Sequence, residues 1–317
     1  MSELPVLIEE ACTRIYGLAR QTPVARLPRD ARIPASVRAF AKMEQQQVTG
    51  SFKLRGASNK IFSLSPELAV KGVVASSTGN HGLGVAAAAK FRGVDAEIFL
   101  SSQVPEAKWK KIESYGARIR RVGEDPLAAE IAARAAAEES GRTYVSPYND
   151  WDVVAGQGTI AVELLRQVGR IDAVYIATGG GGLISGVGSY LRARSPHTEV
   201  IACWPENSRV LYECLRAGRI IEYPESYTVS ESTAGGVEPG SITFELARAA
   251  IHRSVLVSEG AILDAMRWAR DREWIIEGAA GVALAALFQD ASRYAGETVV
   301  VLFCGGNLSP EVLGLMQ

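Results

Sequence analysis

The residues GVVASSTGNHGLGVAAAAKFRGVDAEIFL, numbered 72–100, hold a short β-branched run, a turn rich in small residues, an alanine-rich segment and a second apolar run. A short apolar run bounded by turn residues reads as a buried strand, and the long alanine-rich stretch between the two runs reads as a helix. Working outward, a charged helix to Tyr115, the run ARIRRV and an alanine-rich helix to Ser140 continue the alternation. After Val153 it starts again, with a helix ending near Gln167, the strand AVYIAT, a glycine turn and helix, then EVIACW and a last strand TVVVLF. Strands that alternate with helices predict parallel sheets covered on both faces. The fold class expected is α/β, with two doubly wound parallel-sheet units and ligands bound where they meet.

With 317 residues, 47% of them hydrophobic, the chain can bury a large core. A formal charge of -1 lacks the basic excess that holds a phosphate backbone, so no nucleic-acid partner is expected. Cys12, Cys203, Cys214 and Cys304 lie far apart with no C-x-x-C pair, which predicts neither a zinc site nor a disulfide framework and fits a reducing cytoplasm. The first twenty residues carry acids where a signal peptide is basic, and their apolar spacing predicts a surface helix. Residues 173–191 are uncharged, but their glycines are wrong for a lipid-facing helix, so no membrane span is expected.

Four segments carry chemistry. In KMEQQQVTGSFKLRGA (residues 42–57), Lys53 lies between Phe52 and Leu54. A lysine in partly apolar surroundings has a lowered pKa and forms a Schiff base with an aldehyde, although Lys53 taken alone reads as readily as an exposed lysine opening a helix. ASSTGNHGLGVAAAA (75–89) opens a helix with N–H groups and hydroxyls converging, which suits a carboxylate or phosphate. Gly82, Gly84 and Ala87 match a G-x-G-x-x-A dinucleotide pattern, but the following strand ends in serines where a ribose-binding acid belongs. His81 suits an ordering or substrate-edge role better than proton transfer. IATGGGGLISG (176–186) ends a strand in four glycines, which suits either a phosphate held by backbone N–H groups or tight packing. VVVLFCGGNLS (299–309) ends a buried strand at Cys304, which is core or the neutral partner of a ring nitrogen.

Taken in order, these segments resemble the fold-type II pyridoxal-phosphate enzymes, whose architecture is tryptophan synthase β-like, and in particular the serine/threonine dehydratase and serine racemase branch. The resemblance runs over nearly the whole chain, with AGQGTIAVELL (155–165) and EGAAGVALAAL (277–287) similar to two further family helices. It implies pyridoxal 5'-phosphate as cofactor, Lys53 as Schiff-base lysine and general base, Phe52 against the ring and Asn80 on its phenolic oxygen. It also implies Gly179, Gly180, Gly181, Gly182 and Leu183 around the phosphate, and Cys304 at the pyridine nitrogen. Ser77, Thr78, Gly79, Asn80 and His81 would bracket the carboxylate of a small amino-acid substrate. The implied reaction takes water and then ammonia from L-threonine or L-serine, in a cytoplasmic homodimer.

The expected organisation is a large cofactor-binding domain from residues 1–71 and 148–317, and a small mobile domain, 72–147, carrying the substrate loop. Racemases of this branch have a serine where Thr78 stands, which argues against racemisation as the main activity. Trp204 and Val210 stand where metal-activated members have acids, so no divalent cation is expected there. Cysteine synthase relatives have threonine at the position of His81, and the chain stops soon after CGGN, leaving no expected regulatory domain. Alternatives are a dehydratase for another β-hydroxy amino acid (hydroxyaspartate, phenylserine, or one derived from hydroxyectoine) or an amino-acid racemase. From other classes, a nicotinamide-dependent reductase or an inactive amino-acid-binding protein competes.

Overall fold

A computed structural model describes residues 3–104 and 106–316. The chain opens with α1 (Leu4–Ile15), an antiparallel ladder of β1 (Val24–Arg26) on β2 (Arg38–Lys42), then α2 (Lys53–Phe62) and α3 (Pro66–Lys71). Next come β3 (Val73–Ser76), α4 (Asn80–Arg92), β4 (Ala96–Leu100), α5 (Glu106–Glu113), β5 (Arg118–Arg121), α6 (Pro126–Ser140) and β6 (Thr143–Tyr144). The remainder is α7 (Trp151–Gln167), β7 (Ala173–Ala177), α8 (Gly182–Arg194), β8 (Glu199–Pro205), α9 (Val210–Ala217), α10 (Ile242–Ala250), β9 (Arg253–Val257), α11 (Glu259–Arg270), α12 (Gly278–Asp290), β10 (Thr298–Leu302) and α13 (Pro310–Leu315).

Two sheets result, one ordered β5-β4-β3-β6 and the other β1-β2-β10-β7-β8-β9. Every pairing is parallel except the edge pair β1–β2, so the α/β class expected from the alternation is the one observed. The last strand in sequence, β10, lies inside the larger sheet between β2 and β7, with all its residues buried. An apolar run without alternation fits there, since a parallel strand covered by helices on both faces offers water neither side. β1, β2, β6 and β9 escape the sequence reading because they are short or mixed with arginine, and distant partners make them strands. The uncharged stretch 173–191 divides into β7, a turn and α8, and no helix among the described residues is long and apolar enough to cross a membrane.

Helix ends follow local chemistry. Asp150 accepts from the N–H groups of Asp152 and Val153 to start α7, and Asp125 accepts from Ala128 to start α6, which stops at left-handed Gly141. Helices α2 and α7 approach until a β-carbon on Gly156 would lie 2.6 Å from the Arg55 carbonyl oxygen, which is why a small residue stands there. This contact brings the start of α7 under the smaller sheet, whose core includes Ala57 and Ile61 of α2 beside Val153.

Beneath the first turn of α2 lies a buried ionic cluster. Arg55 donates to Glu44 at 2.7 and 2.8 Å and to Glu163 at 2.6 and 3.0 Å, while Lys42 donates to Glu163 and to the Thr22 carbonyl. All four charged side chains are at most 2% exposed. Burial favours neutral forms, but the paired charges offset it: burial raises the Glu44 carboxyl and Arg55 pulls it further down, for a net lowering. Removing one cation leaves two carboxylates sharing the other. Arg55→Ala is therefore expected to cost about 3–5 kcal/mol of stability, as for other broken buried pairs. Urea denaturation checks this, and a loss below about 1 kcal/mol, the scale of an exposed pair, would show the cluster to be dispensable.

Candidate active site

Lys53 begins α2, and the segment before it is pinned to the chain beyond β10. Phe52 donates its N–H to the Cys304 carbonyl at 2.9 Å, Gly306 donates to the Gly50 carbonyl at 2.9 Å, and Ser51 bridges Gly305. Two glycine-flanked segments far apart in sequence thus form one short ladder, which sets Lys53 and Cys304 at the same cavity. The half-buried Lys53 side chain passes the Phe52 ring, 5.3 Å from its centroid, and its amine donates to the Pro147 carbonyl at 2.9 Å. Burial pushes this amine down to about 8, against the opposing pull of Glu277 and Cys304. Burial raises the Cys304 thiol well above its usual range, keeping it neutral.

Across the cavity, β7 ends at the glycine turn and α8 begins. Gly181 has φ +88°, a left-handed conformation that a side chain disfavours. Packing also demands small residues: a β-carbon on Gly179 would lie 2.7 Å from the Thr233 carbonyl, and one on Gly180 would lie 2.6 Å from the Tyr148 ring. The two readings of these glycines therefore combine. Clamped between Tyr148 and Thr233, the turn leaves the N–H groups from Gly179 to Ile184 without a protein acceptor among the described residues. Such donors at the positive end of a 13-residue helix fit a phosphate group.

The start of α4 provides a second set of donors. Ser77, Thr78 and Gly79 form its approach, with Thr78 and Gly79 exposed, and Ser77 Oγ accepts from the Gly79 N–H at 3.2 Å. Asn80 is buried: its Nδ2 donates to Glu277 at 2.7 Å, and its Oδ1 accepts from Asn307 Nδ2 at 2.7 Å. The imidazole of His81 turns inward, Nε2 lying 2.8 Å from the Val145 carbonyl, so this nitrogen carries the proton. Burial and the nearby Lys53 push it down to about 3, which leaves it neutral at working pH and unsuited to proton transfer. Gly82 and Gly84 face protein, a β-carbon on the first meeting the Ser77 carbonyl at 2.6 Å and one on the second the Lys53 backbone at 3.2 Å. The dinucleotide-like spacing thus serves packing of α4 on α2.

Phe52, Lys53, the four glycines, Leu183 and Cys304 line one cavity, whose lining does not include Ser77, Thr78, Gly79, Asn80 or His81. The wall is completed by Pro147 and Tyr148, which no motif announced, and by the segment 232–236. Glu277 and Asn307, which bind Asn80, belong to quoted motifs but received no role from sequence, because their partners are distant.

The sequence profile of the family described as pyridoxal-phosphate dependent enzyme matches residues 15–305. The chain is 36% identical over 315 residues to the catabolic L-threonine dehydratase of Staphylococcus aureus strain N315, covering 98% of this chain and 91% of that protein. The structure of the processed form of threonine deaminase isoform 2 from Solanum lycopersicum superposes with a TM-score of 0.92 at 29% identity, covering 100% of this chain and 93% of that one. Maize serine racemase superposes with a TM-score of 0.89 at 32% identity, covering 98% of this chain and 95% of that one.

With any bound group removed, Lys53 is expected to be half-deprotonated near pH 8, because the buried ammonium lacks the water that stabilises an exposed one. Brief acetylation across a pH series, read by peptide mass spectrometry, measures this. Half-maximal labelling near the ordinary lysine value of 10.5 would show the amine to be solvated instead.

Proposed function

Because this chain belongs to the pyridoxal-phosphate dependent enzymes, we propose that it dehydrates and deaminates L-threonine or L-serine to a 2-oxo acid and ammonia. One observation carries the reading: a single amine with a lowered pKa faces a turn of unpartnered N–H donors across one cavity. The match to an L-threonine dehydratase over 98% of the chain supports this choice of reaction.

The residues fit the cofactor. Lys53 would hold it covalently, the N–H groups of Gly179, Gly180, Gly181, Gly182 and Leu183 would take its phosphate, and Phe52 and Asn80 would serve its ring and phenolic oxygen. Cys304 would stand at the ring nitrogen as a neutral thiol, which would not keep that nitrogen protonated. When bound, pyridoxal phosphate supplies an aldehyde for the substrate nitrogen and an electron sink for the bond broken at Cα.

As a free amine Lys53 would accept the Cα proton, and its lowered pKa leaves it deprotonated often enough near neutral pH. The turn Ser77, Thr78 and Gly79, with the N–H groups of Asn80 and His81 at the start of α4, holds the substrate carboxylate. His81 contributes through its place in the helix, since its ring is spent on Val145. The enamine left by loss of water hydrolyses to the oxo acid and ammonia.

The small domain, residues 72–147, is proposed to close over the cavity and exclude water. Two contacts join it to the rest of the chain: Arg134 pairs with Glu238 at 2.7 Å, and Lys111 donates to Asn307 at 2.9 Å. A small uncharged side chain suits the site. Lys53 is the only cationic residue among those lining the cavity, so a hydroxyaspartate side chain would bring a carboxylate with no partner. The four cysteines are all free, which supports a cytoplasmic setting, and the family resemblance supports a homodimer.

A panel of β-hydroxy amino acids, assayed for 2-oxo acid, tests the reading. Threonine or serine is expected to turn over, with activity lost in Lys53→Ala and hydroxyaspartate at least about tenfold slower for want of a charge partner. Turnover of hydroxyaspartate alone would overturn the substrate assignment, and no turnover of any member would overturn the reaction.

A further inference from the structure

Glu277 does not line the cavity, yet its buried carboxylate joins three groups around it. Oε2 accepts from Asn80 Nδ2 at 2.7 Å, and Oε1 accepts from Ser232 Oγ at 2.9 Å. The Cys304 sulfur lies 4.0 Å from Oε1. Hydrogen bonds from Asn80 and Ser232 favour the charged form of the carboxylate. Burial pulls the other way and raises its pKa. Among the described residues no lysine, arginine or histidine forms a salt bridge with Glu277, although the nearby Lys53 also favours its charged form, which leaves a buried carboxyl hydrogen-bonded to neutral donors. Such an arrangement is costly to fold, and a structural filler would not require it.

The contacts of Asn80 show what the arrangement secures. Its Oδ1 accepts from Asn307 while its Nδ2 donates to Glu277, so a flipped amide would set donor against donor and oxygen against carboxylate. One amide orientation survives, with one Nδ2 proton left over. We propose that Glu277 is a positioning residue that locks the Asn80 amide so that its remaining proton serves the cofactor's phenolic oxygen, and that ties this lock to Ser232 on the cavity wall. The inference rests on the role proposed above for Asn80. It also links α4, which belongs to the small domain, to the substrate-side segment 232–236 through one side chain.

The test is a double-mutant cycle on Glu277→Gln and Asn80→Ala, read by pyridoxal phosphate affinity for the cofactor-free protein and by the visible band of the bound cofactor. Glutamine keeps the shape but replaces one acceptor oxygen with a donor. Each single variant is expected to weaken cofactor binding about tenfold to hundredfold and to shift the band, as for loss of a charge-assisted hydrogen bond. The double variant should bind no more weakly than Asn80→Ala alone. Effects that multiply in the double variant, or a Glu277→Gln protein with the parent's band and affinity, would overturn the inference. Should Glu277→Gln fail to fold, Asn307→Ala releases the same amide from its other side; a shifted band supports the lock, and an unchanged band overturns it. Wild-type protein that takes up no pyridoxal phosphate would instead overturn the cofactor assignment, which separates the two failures.

Discussion

Arg55 stands between Glu44 and Glu163 with no access to water, and the placement of Lys53 depends on that contact. A guanidinium presents donors in a fixed fork, so gripping two carboxylates on different elements sets the rotation of α2 as well as its position. Lys53 is two residues earlier on the same helix. Lys42, on β2, closes the cluster from the sheet, and Tyr16 donates to Glu163 at 2.8 Å from just beyond α1. Lys53 is thereby fixed to α7, to the sheet and to the end of the N-terminal helix through a cluster of buried charges. Exposed ion pairs would not serve, because water competes for them.

Two helix starts lie close to Lys53: α8, whose glycine turn lines the cavity, and α4, whose Gly84 packs on the Lys53 backbone. Both present N–H groups without protein acceptors among the described residues, and a phosphate and a carboxylate are the groups that such ends attract. Burial lowers the pKa of the Lys53 amine beside them. In the proposed reading the larger sheet holds the cofactor and the smaller sheet the substrate, so closure of one on the other would bring the reacting groups together.

How much of this the sequence disclosed depends on the distance between partners. The runs VVAS, AEIFL, AVYIA and TVVVL read as strands because their burial is complete and their signal lies within the run. β2 did not, since RAFAK becomes a strand only by lying between β1 and β10. Lys53, the glycine turn and Cys304 were visible because their chemistry is written in adjacent residues. Tyr148 was not, because it gains its place from a partner about 30 residues away, packing on Gly180. For His81 the sequence favours an ordering or substrate-edge role over proton transfer, and only the fold shows that the ring is spent on the Val145 carbonyl.

The central claim is that Lys53, held by the Arg55 cluster, carries the cofactor. Reducing the purified yellow protein with borohydride and mapping the modified peptide by mass spectrometry tests it most directly. A pyridoxyl group on Lys53 and on no other lysine is the result expected. A group on a different lysine, or a protein that carries none, would contradict it.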